Sequence, residues 1–357
     1  MSQKSMPKYN KGEWSELYAF LFALDKGKIH GADENMNSLS NIYYNIISTF
    51  NKNTEYERKN SINGINVSFS QNNIIRTLPL NDITKELSPL FQHIQSGKSQ
   101  FEIPSIMPLL NQLNITTLKA GSNSKGDLKI KIHDTFTGSE PTLNFSVKSY
   151  IGSNATLLNS SSATTFRYLL SNTLSAQNVD KINAIATRSK MIDKIKAIQQ
   201  CGATLNYKSV SSEIFNYNLQ MIDFSFPNIL ANLYLESYFV KGKKIPDVIN
   251  SFVNKNTNID KELIEYKVRQ FLIACALGMV PQTRWTGLDE ATGGYIVVKD
   301  NSDVLCYHIY NRNKLSDYLF NHTSFDTPST SRYNLGNIQI DDTNQQYFDL
   351  NIQIRFF

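Results

Sequence analysis

Cysteine is scarce in this chain of 357 residues, with Cys201, Cys275 and Cys306 far apart and odd in number. Such a set gives neither a disulfide framework nor a structural zinc site. Cys275 falls in the apolar run Phe271 to Val280 and reads as a buried thiol. Charge is thin as well. Asp, Glu, Lys and Arg make up 19% of the residues, below the usual share of about a quarter. Lys and Arg number 36 against 31 acids, a net charge of +5, which is too mild to argue for a polyanionic partner. The opening MSQKSMPKYN has no apolar signal core, and no apolar run is long enough for a bilayer, so a reducing cytoplasm is the expected compartment. There is no Walker loop, no dinucleotide fingerprint and no zinc-ligand spacing, and neither His133 nor His308 has a Ser or Cys nucleophile motif around it. Nucleotide-driven, nicotinamide-linked and covalent-hydrolase chemistries lose their usual signatures. Internal repeats and low-complexity linkers are missing too, so domain boundaries are weakly marked.

What is present is patterned. Hydrophobic residues reach 41%, enough for a substantial core. Trp14, Leu17, Tyr18, Leu21 and Leu24 recur at helical spacing, with Glu13 and Glu16 in the first turns, where acids favour the helix dipole. Residues 42–80 read as a β-meander with a turn at Asn63-Gly64. Helices are expected over 82–97 and 104–113, and a basic one over 180–200. Others follow at about 212–222, 227–240 and 260–277. The last third returns to strands at 294–299 and 303–310, then a short helix at 315–321. It closes on one strand, Phe348 to Phe356, whose apolar residues alternate with polar ones.

The segment with chemical content is Gly126 to Gly152, which reads as a hairpin. Leu128, Ile130 and Ile132 alternate with Asp127, Lys129, Lys131 and His133. After a turn at Gly138 and Pro141, Leu143, Phe145 and Val147 alternate with Asn144, Ser146 and Lys148. A hairpin symmetric about its turn sets Asp127 opposite Lys148 on the polar face, with Cβ atoms about 5 Å apart. A carboxylate holding Mg²⁺ beside a lysine that positions water or stabilises developing charge is what metal-assisted phosphodiester cleavage needs. Asp134 lies seven residues along the strand, roughly 23 Å at about 3.3 Å per residue, and is expected to play no part there. An Asp–Lys pair on a solvated strand face is common, however, and spacing alone is a weak signal.

The stretch Asn144-Phe-Ser-Val-Lys148-Ser-Tyr-Ile-Gly152, with Ala155-Thr-Leu-Leu-Asn159 and Ser162-Ala-Thr-Thr-Phe166, resembles the catalytic-strand region of HpaII-type restriction endonucleases. So do Lys11-Gly-Glu-Trp-Ser-Glu-Leu-Tyr18, Gly293-Gly294-Tyr295, Tyr307-His-Ile-Tyr-Asn-Arg312, Thr327-Pro-Ser-Thr-Ser-Arg332 and Leu350-Asn-Ile-Gln-Ile-Arg355. The matches run in order from residue 11 to 355. The resemblance implies a mixed α/β protein with a PD-(D/E)xK restriction-endonuclease-like core, a central mixed sheet flanked by helices, and an additional β-rich DNA-binding region. It implies a type II enzyme that uses Mg²⁺ to hydrolyse double-stranded DNA at a short site, CCGG for the family's namesake, leaving 5′-phosphate ends. It also implies a homodimer, and a cognate methyltransferase that protects the same site without needing to bind this protein. No membrane is involved.

In the wider nuclease family a second acid stands two residues before the lysine. Here that position is Ser146, and no Asp or Glu follows before Asp180. The first helix is then the remaining source. Glu16 is favoured over Glu13, with the Val147 carbonyl as a third metal ligand beside Asp127. For DNA contacts the candidates are Lys129 and Lys131 on the hairpin, and Asn159, Ser160, Thr164 and Thr165 after Lys148. Arg284, Arg312, Ser329, Ser331 and Arg332 are the candidates for base reading. The expected division is an N-terminal helix and meander region (1–120), a nuclease core with a helical region (121–280), and a β-rich recognition region (281–357). A catalytically inactive DNA-binding protein on the same scaffold is the alternative, with an interaction or carbohydrate-binding module behind it.

Overall fold

A computed structural model describes residues 8–69, 73–118, 126–135, 137–152, 154–328 and 335–357. The architecture is mixed α/β. The chain forms two compact units, each assembled from separated segments. The first comprises 1–155, 276–278 and 289–318, and the second 156–275, 279–288 and 319–357.

The first unit is built around helix α1, Lys11–Lys26. Its start is fixed by a capping box, in which the Asn10 side chain accepts from the Glu13 N–H at 3.0 Å and the Glu13 carboxylate accepts from the Asn10 N–H at 2.8 Å. Gly27 ends the helix at φ 65°, in the left-handed region where a side chain is disfavoured. The Arg58 guanidinium covers the last carbonyls, donating to Leu24 O and Asp25 O. Trp14, Leu17, Leu21 and Leu24 are buried as their spacing requires, and Ala19, Phe20 and Ala23 are buried too. A helix enclosed this far around lies inside a core rather than on it. Replacing Asn10 by Ala is expected to cost about 1 kcal/mol of stability, the usual worth of an N-cap, as measured by urea unfolding.

Around α1 runs a nine-stranded sheet. Its order is Lys28–Ala32, Val304–His308, Gly294–Val298, Thr142–Ser149, Leu128–His133, Ser38–Asn51, Thr54–Lys59, Gly64–Phe69 and Asn73–Pro79. Lys28–Ala32 also pairs with Ser38–Asn51, so the first six strands close into a ring. Two pairings are parallel, Thr142–Ser149 with Gly294–Val298 and Val304–His308 with Lys28–Ala32, and the rest are antiparallel. The meander forms as expected, but the turn differs from the two-residue Asn63-Gly64 reading: Asn60–Ile62 make a 3-10 turn that ends at Asn63 (φ 45°), and Gly64 already pairs with Lys59 in the next strand. Helix α2, Leu80–Ser96, follows the meander.

The second unit holds a three-stranded sheet (Thr156–Leu158, Gln353–Phe356, Thr323–Asp326) and a four-stranded one (Leu205–Val210, Thr165–Leu170, Gln346–Asn351, Ile338–Ile340), with several helices. Two expectations are corrected here. The basic helix over 180–200 is two helices, Ala176–Asn183 and Lys190–Gln200. Polar residues between them make their own turn, with the Thr187 hydroxyl bonded to Asp193 at 2.5 Å. The closing strand is also two, because at Ile352 the chain leaves one sheet for the other and the Ile352 N–H donates to Thr164 O at 3.0 Å. Cys275 and Cys306 are buried and Cys201 is exposed. No described helix is long and apolar enough to cross a membrane.

Candidate active site

The hairpin forms, but its register differs from the symmetric reading. Leu128 pairs with Phe145 and Lys129 with Asn144, which sets Asp127 across from Ser146 rather than Lys148. The offset is two residues, so side-chain parity is kept and Lys148 still shares the face of Ser146. The Asp127 N–H donates to Phe145 O at 2.9 Å as the last rung of the ladder. Its carboxylate then turns back over the neighbouring strand. Asp127 Oδ2 accepts from the Val147 N–H at 2.7 Å and from Ser146 Oγ at 3.2 Å. Sequence reasoning missed this donor role for Ser146. The buried hydroxyl fixes the carboxylate's orientation, and only the correct register could have shown it.

Helix α1 brings a second carboxylate to this point. Its N-terminal half is tied down by the Trp14 indole N–H to Phe101 O at 3.1 Å, by Ser15 Oγ to Ser149 Oγ at 2.8 Å, and by Tyr18 OH to Ser302 O at 2.9 Å. The Ser15 bond links the helix directly to the strand carrying Lys148. Glu13 is occupied in the capping box, whereas Glu16 lies three residues further on and feels Asp127 and Lys148. Glu16 and Asp127 both line a cavity of about 40 Å³ whose walls include Phe20, Phe50 and Leu128. Burial pushes the Glu16 carboxyl up to about 8, the negative Asp127 adds to the rise, Lys148 opposes it, and Glu13 adds a little more. Among the described residues, two half-buried carboxylates face one ammonium, so the group there is short of positive charge.

That deficit is a test of metal fit. Carboxylate oxygens are hard donors suited to a small divalent cation, and a cation would supply the missing charge. Among the described residues no cluster of three His, Cys, Asp or Glu exists. Two carboxylates must therefore be completed by carbonyl groups and water, which is acceptable for a Mg²⁺-type ion that keeps several waters.

The remaining sequence candidates are scattered. Lys129 is exposed, with its ammonium 5.3 Å from the centre of the Phe50 ring, and Lys131 pairs with Glu140 at 3.2 Å. Arg312 is held by Asp289 at 2.9 Å. In the second unit Asn159 is exposed and Ser160 half-buried. Thr164 and Thr165 are buried instead, with their hydroxyls bonded to the Asn351 side chain at 2.8 and 3.3 Å, so both are used inside the fold. Exposed Arg284 lays its guanidinium 4.1 Å over the Tyr217 ring. Ser329, Ser331 and Arg332 lie outside the described residues. His308 is buried on its strand, stacked 4.5 Å from Tyr44.

Comparison with known proteins agrees with the sequence pattern. Residues 10–356 match the family model described as HpaII restriction endonuclease. A curated relative, the type II restriction enzyme HpaII of Haemophilus parainfluenzae, is 40% identical over 357 residues, covering 97% of this chain and 98% of that enzyme. No solved structure gives a significant match.

Proposed function

The chain belongs to the HpaII restriction endonuclease family, and from that premise we propose that it is a type II restriction endonuclease with a PD-(D/E)xK core. It hydrolyses phosphodiester bonds in double-stranded DNA at a short site, with Mg²⁺ as cofactor and 5′-phosphate ends as products. CCGG is the first site to test. The observation that carries the reading is the convergence of Glu16, Asp127 and Lys148 on one cluster.

In this reading Asp127, Glu16 and the Val147 carbonyl hold the cation. When bound, the cation polarises the scissile phosphate and makes its water a stronger nucleophile at neutral pH. Ser146 Oγ and the Val147 N–H hold the Asp127 carboxylate in one orientation, so little ordering is left for the moment of reaction. The Lys148 ammonium stands beside two acids, where it positions the attacking water and offsets charge developing on the phosphoryl oxygens. Lys129, Lys131, Asn159 and Ser160 are assigned to the DNA backbone. Recognition is assigned to the 281–357 region through Arg284, Arg312, Ser329, Ser331 and Arg332. Arg284 is the better prepared of the two described arginines, since stacking on Tyr217 leaves its planar fork open for a guanine edge, whereas Arg312 must first leave Asp289. A two-fold site requires two cuts, which a homodimer supplies by symmetry, and a separate methyltransferase protects host DNA at the same sequence.

The test is digestion of unmethylated plasmid and phage DNA with purified protein, in Mg²⁺ and in EDTA, followed by sequencing of the ends. Discrete fragments that need Mg²⁺ are expected, and their ends report the site and the cut. A folded preparation that binds DNA but cuts nothing across pH, salt and Mn²⁺ returns the alternative, an inactive binder on the same scaffold.

A further inference from the structure

The segment Tyr307 to Arg312 carries part of the family resemblance yet has no place in the Glu16–Asp127–Lys148 cluster. It borders a second cavity within the first unit. This cavity is about 350 Å³ and is lined by Ile42, Tyr44, Asp134, Thr137, Tyr310 and Asn311. Two walls are aromatic. The Tyr44 hydroxyl accepts from the Asn311 side-chain amide at 3.2 Å, and Tyr310 is 56% exposed. Asp134 is only 4% exposed, and its carboxylate accepts from the Thr137 hydroxyl at 2.7 Å and interacts with the Tyr310 hydroxyl.

His308 packs against this group, 4.5 Å from the Tyr44 ring and 4.4 Å from the Tyr310 ring. It is fully buried, and Nδ1 accepts from the Tyr310 N–H at 3.2 Å. Burial pushes its pKa down to about 4, with Asp134 opposing, so the ring is neutral near pH 7 and the proton sits on Nε2. That N–H has no hydrogen-bond partner among the described residues. A buried donor without an acceptor is costly and calls for an explanation.

The chemistry of the cavity selects its ligand. Aromatic walls favour a flat ring. A buried carboxylate favours a ligand that donates from an amine. A small heteroaromatic ring with an exocyclic amine has both features, and nucleobases are of this kind. We propose that the cavity at Tyr44, Asp134, Tyr310 and Asn311 receives a single amine-bearing nucleobase unstacked from bound DNA. The inference rests on DNA being the substrate. Exposed Tyr310 stacks on the base, and Asp134 accepts from its amine. Extrusion costs a few kcal/mol of stacking and pairing, which the walls and polar groups of the cavity offset.

The experiment uses duplexes carrying the site found by end sequencing, with 2-aminopurine replacing each base of the site in turn and Ca²⁺ in place of Mg²⁺. Binding is followed by anisotropy and unstacking by 2-aminopurine fluorescence. Wild-type protein is expected to raise the fluorescence several-fold at one position. Tyr310→Ala should abolish that rise and weaken binding roughly tenfold, the worth of one stacking contact, with an unchanged Tm. Asp134→Asn, read in the same way, tests the amine contact. Tight binding with no rise at any position overturns the proposal and leaves the nuclease reading standing. No duplex binding at all overturns both. A cavity that takes up free dCMP or dAMP while the duplex stays stacked identifies a nucleotide site and also overturns it.

Discussion

Lys148→Ala is expected to stop cleavage while leaving DNA binding intact. The single-turnover rate should fall by at least about 10³-fold, in line with the loss of a preorganised group that stabilises developing charge. Lys148 is half-buried and its backbone is paired with Val297 on the neighbouring parallel strand, which holds it in place when the side chain is cut back. Removing the ammonium also removes the cation that, among the described residues, lowers the Glu16 pKa. The Glu16 carboxyl should then hold its proton to still higher pH, and metal binding should weaken as well. Lys148→Arg keeps the charge and separates these effects. If it restores metal affinity but not cleavage, the lysine has a role in the reaction beyond balancing charge. A Lys148→Ala protein that still cuts within tenfold of wild type removes Lys148 from the active site. The readouts are rapid-quench cleavage of a labelled duplex and its anisotropy in Ca²⁺.

Glu16→Gln is the second large effect, and its sign is unusual. The folded protein holds the Glu16 carboxyl at about 8, against an ordinary value of 4.5. A raised pKa means that folding favours the protonated form. The stability this contributes is fully present below the ordinary value and is lost as pH rises through 8. Metal-free protein should therefore weaken between about pH 5 and 9, and Glu16→Gln should flatten that slope and melt higher at pH 9. Cation binding runs the other way, because the ligand must be the carboxylate. At pH 7 binding should release close to one proton, and affinity should rise with pH until about 8. The same substitution should cost cleavage at least about a hundredfold, the loss of one metal ligand. Calorimetry in buffers of different ionisation enthalpy counts the proton, and thermal melts at pH 6 and 9 measure the stability. An absence of proton release, or a variant that melts lower at pH 9, would remove Glu16 from the cluster.

Local features were legible in the sequence where one physical signal dominated. The stripe from Trp14 to Leu24 and the alternation of 128–132 and 143–147 each fix an element without help from the rest of the chain, whereas the turn signal at Asn63-Gly64 marks only the end of a longer turn that starts at Asn60. The hairpin register was not legible, because symmetry about the turn is only a guess and the ladder is set by the neighbours on either side. The parity survived, which kept Asp127, Ser146 and Lys148 on one face. What was lost was the bond from Ser146 to Asp127. Strands Thr165–Leu170 and Leu205–Val210 were passed over, since Leu205–Val210 buries only its two ends and has no clean alternation. The cluster at Asp134, His308 and Tyr310 could not be read either. Its members come from separated parts of the sequence and meet only once the sheet has curled.

The closed ring of six strands also makes the proposed site depend on late-synthesised segments of the chain. Residues 16, 127 and 148 leave the ribosome early, but the strand that carries Lys148 gains its second neighbour only with Gly294–Val298. The ring is sealed only when Val304–His308 meets Lys28–Ala32. A nascent or truncated chain lacking residues beyond about 290 has its acids and its lysine, but one flank of their strand is unpaired. With the site as proposed, a chain truncated before about residue 290 is expected to lose cleavage, as a digestion assay would show.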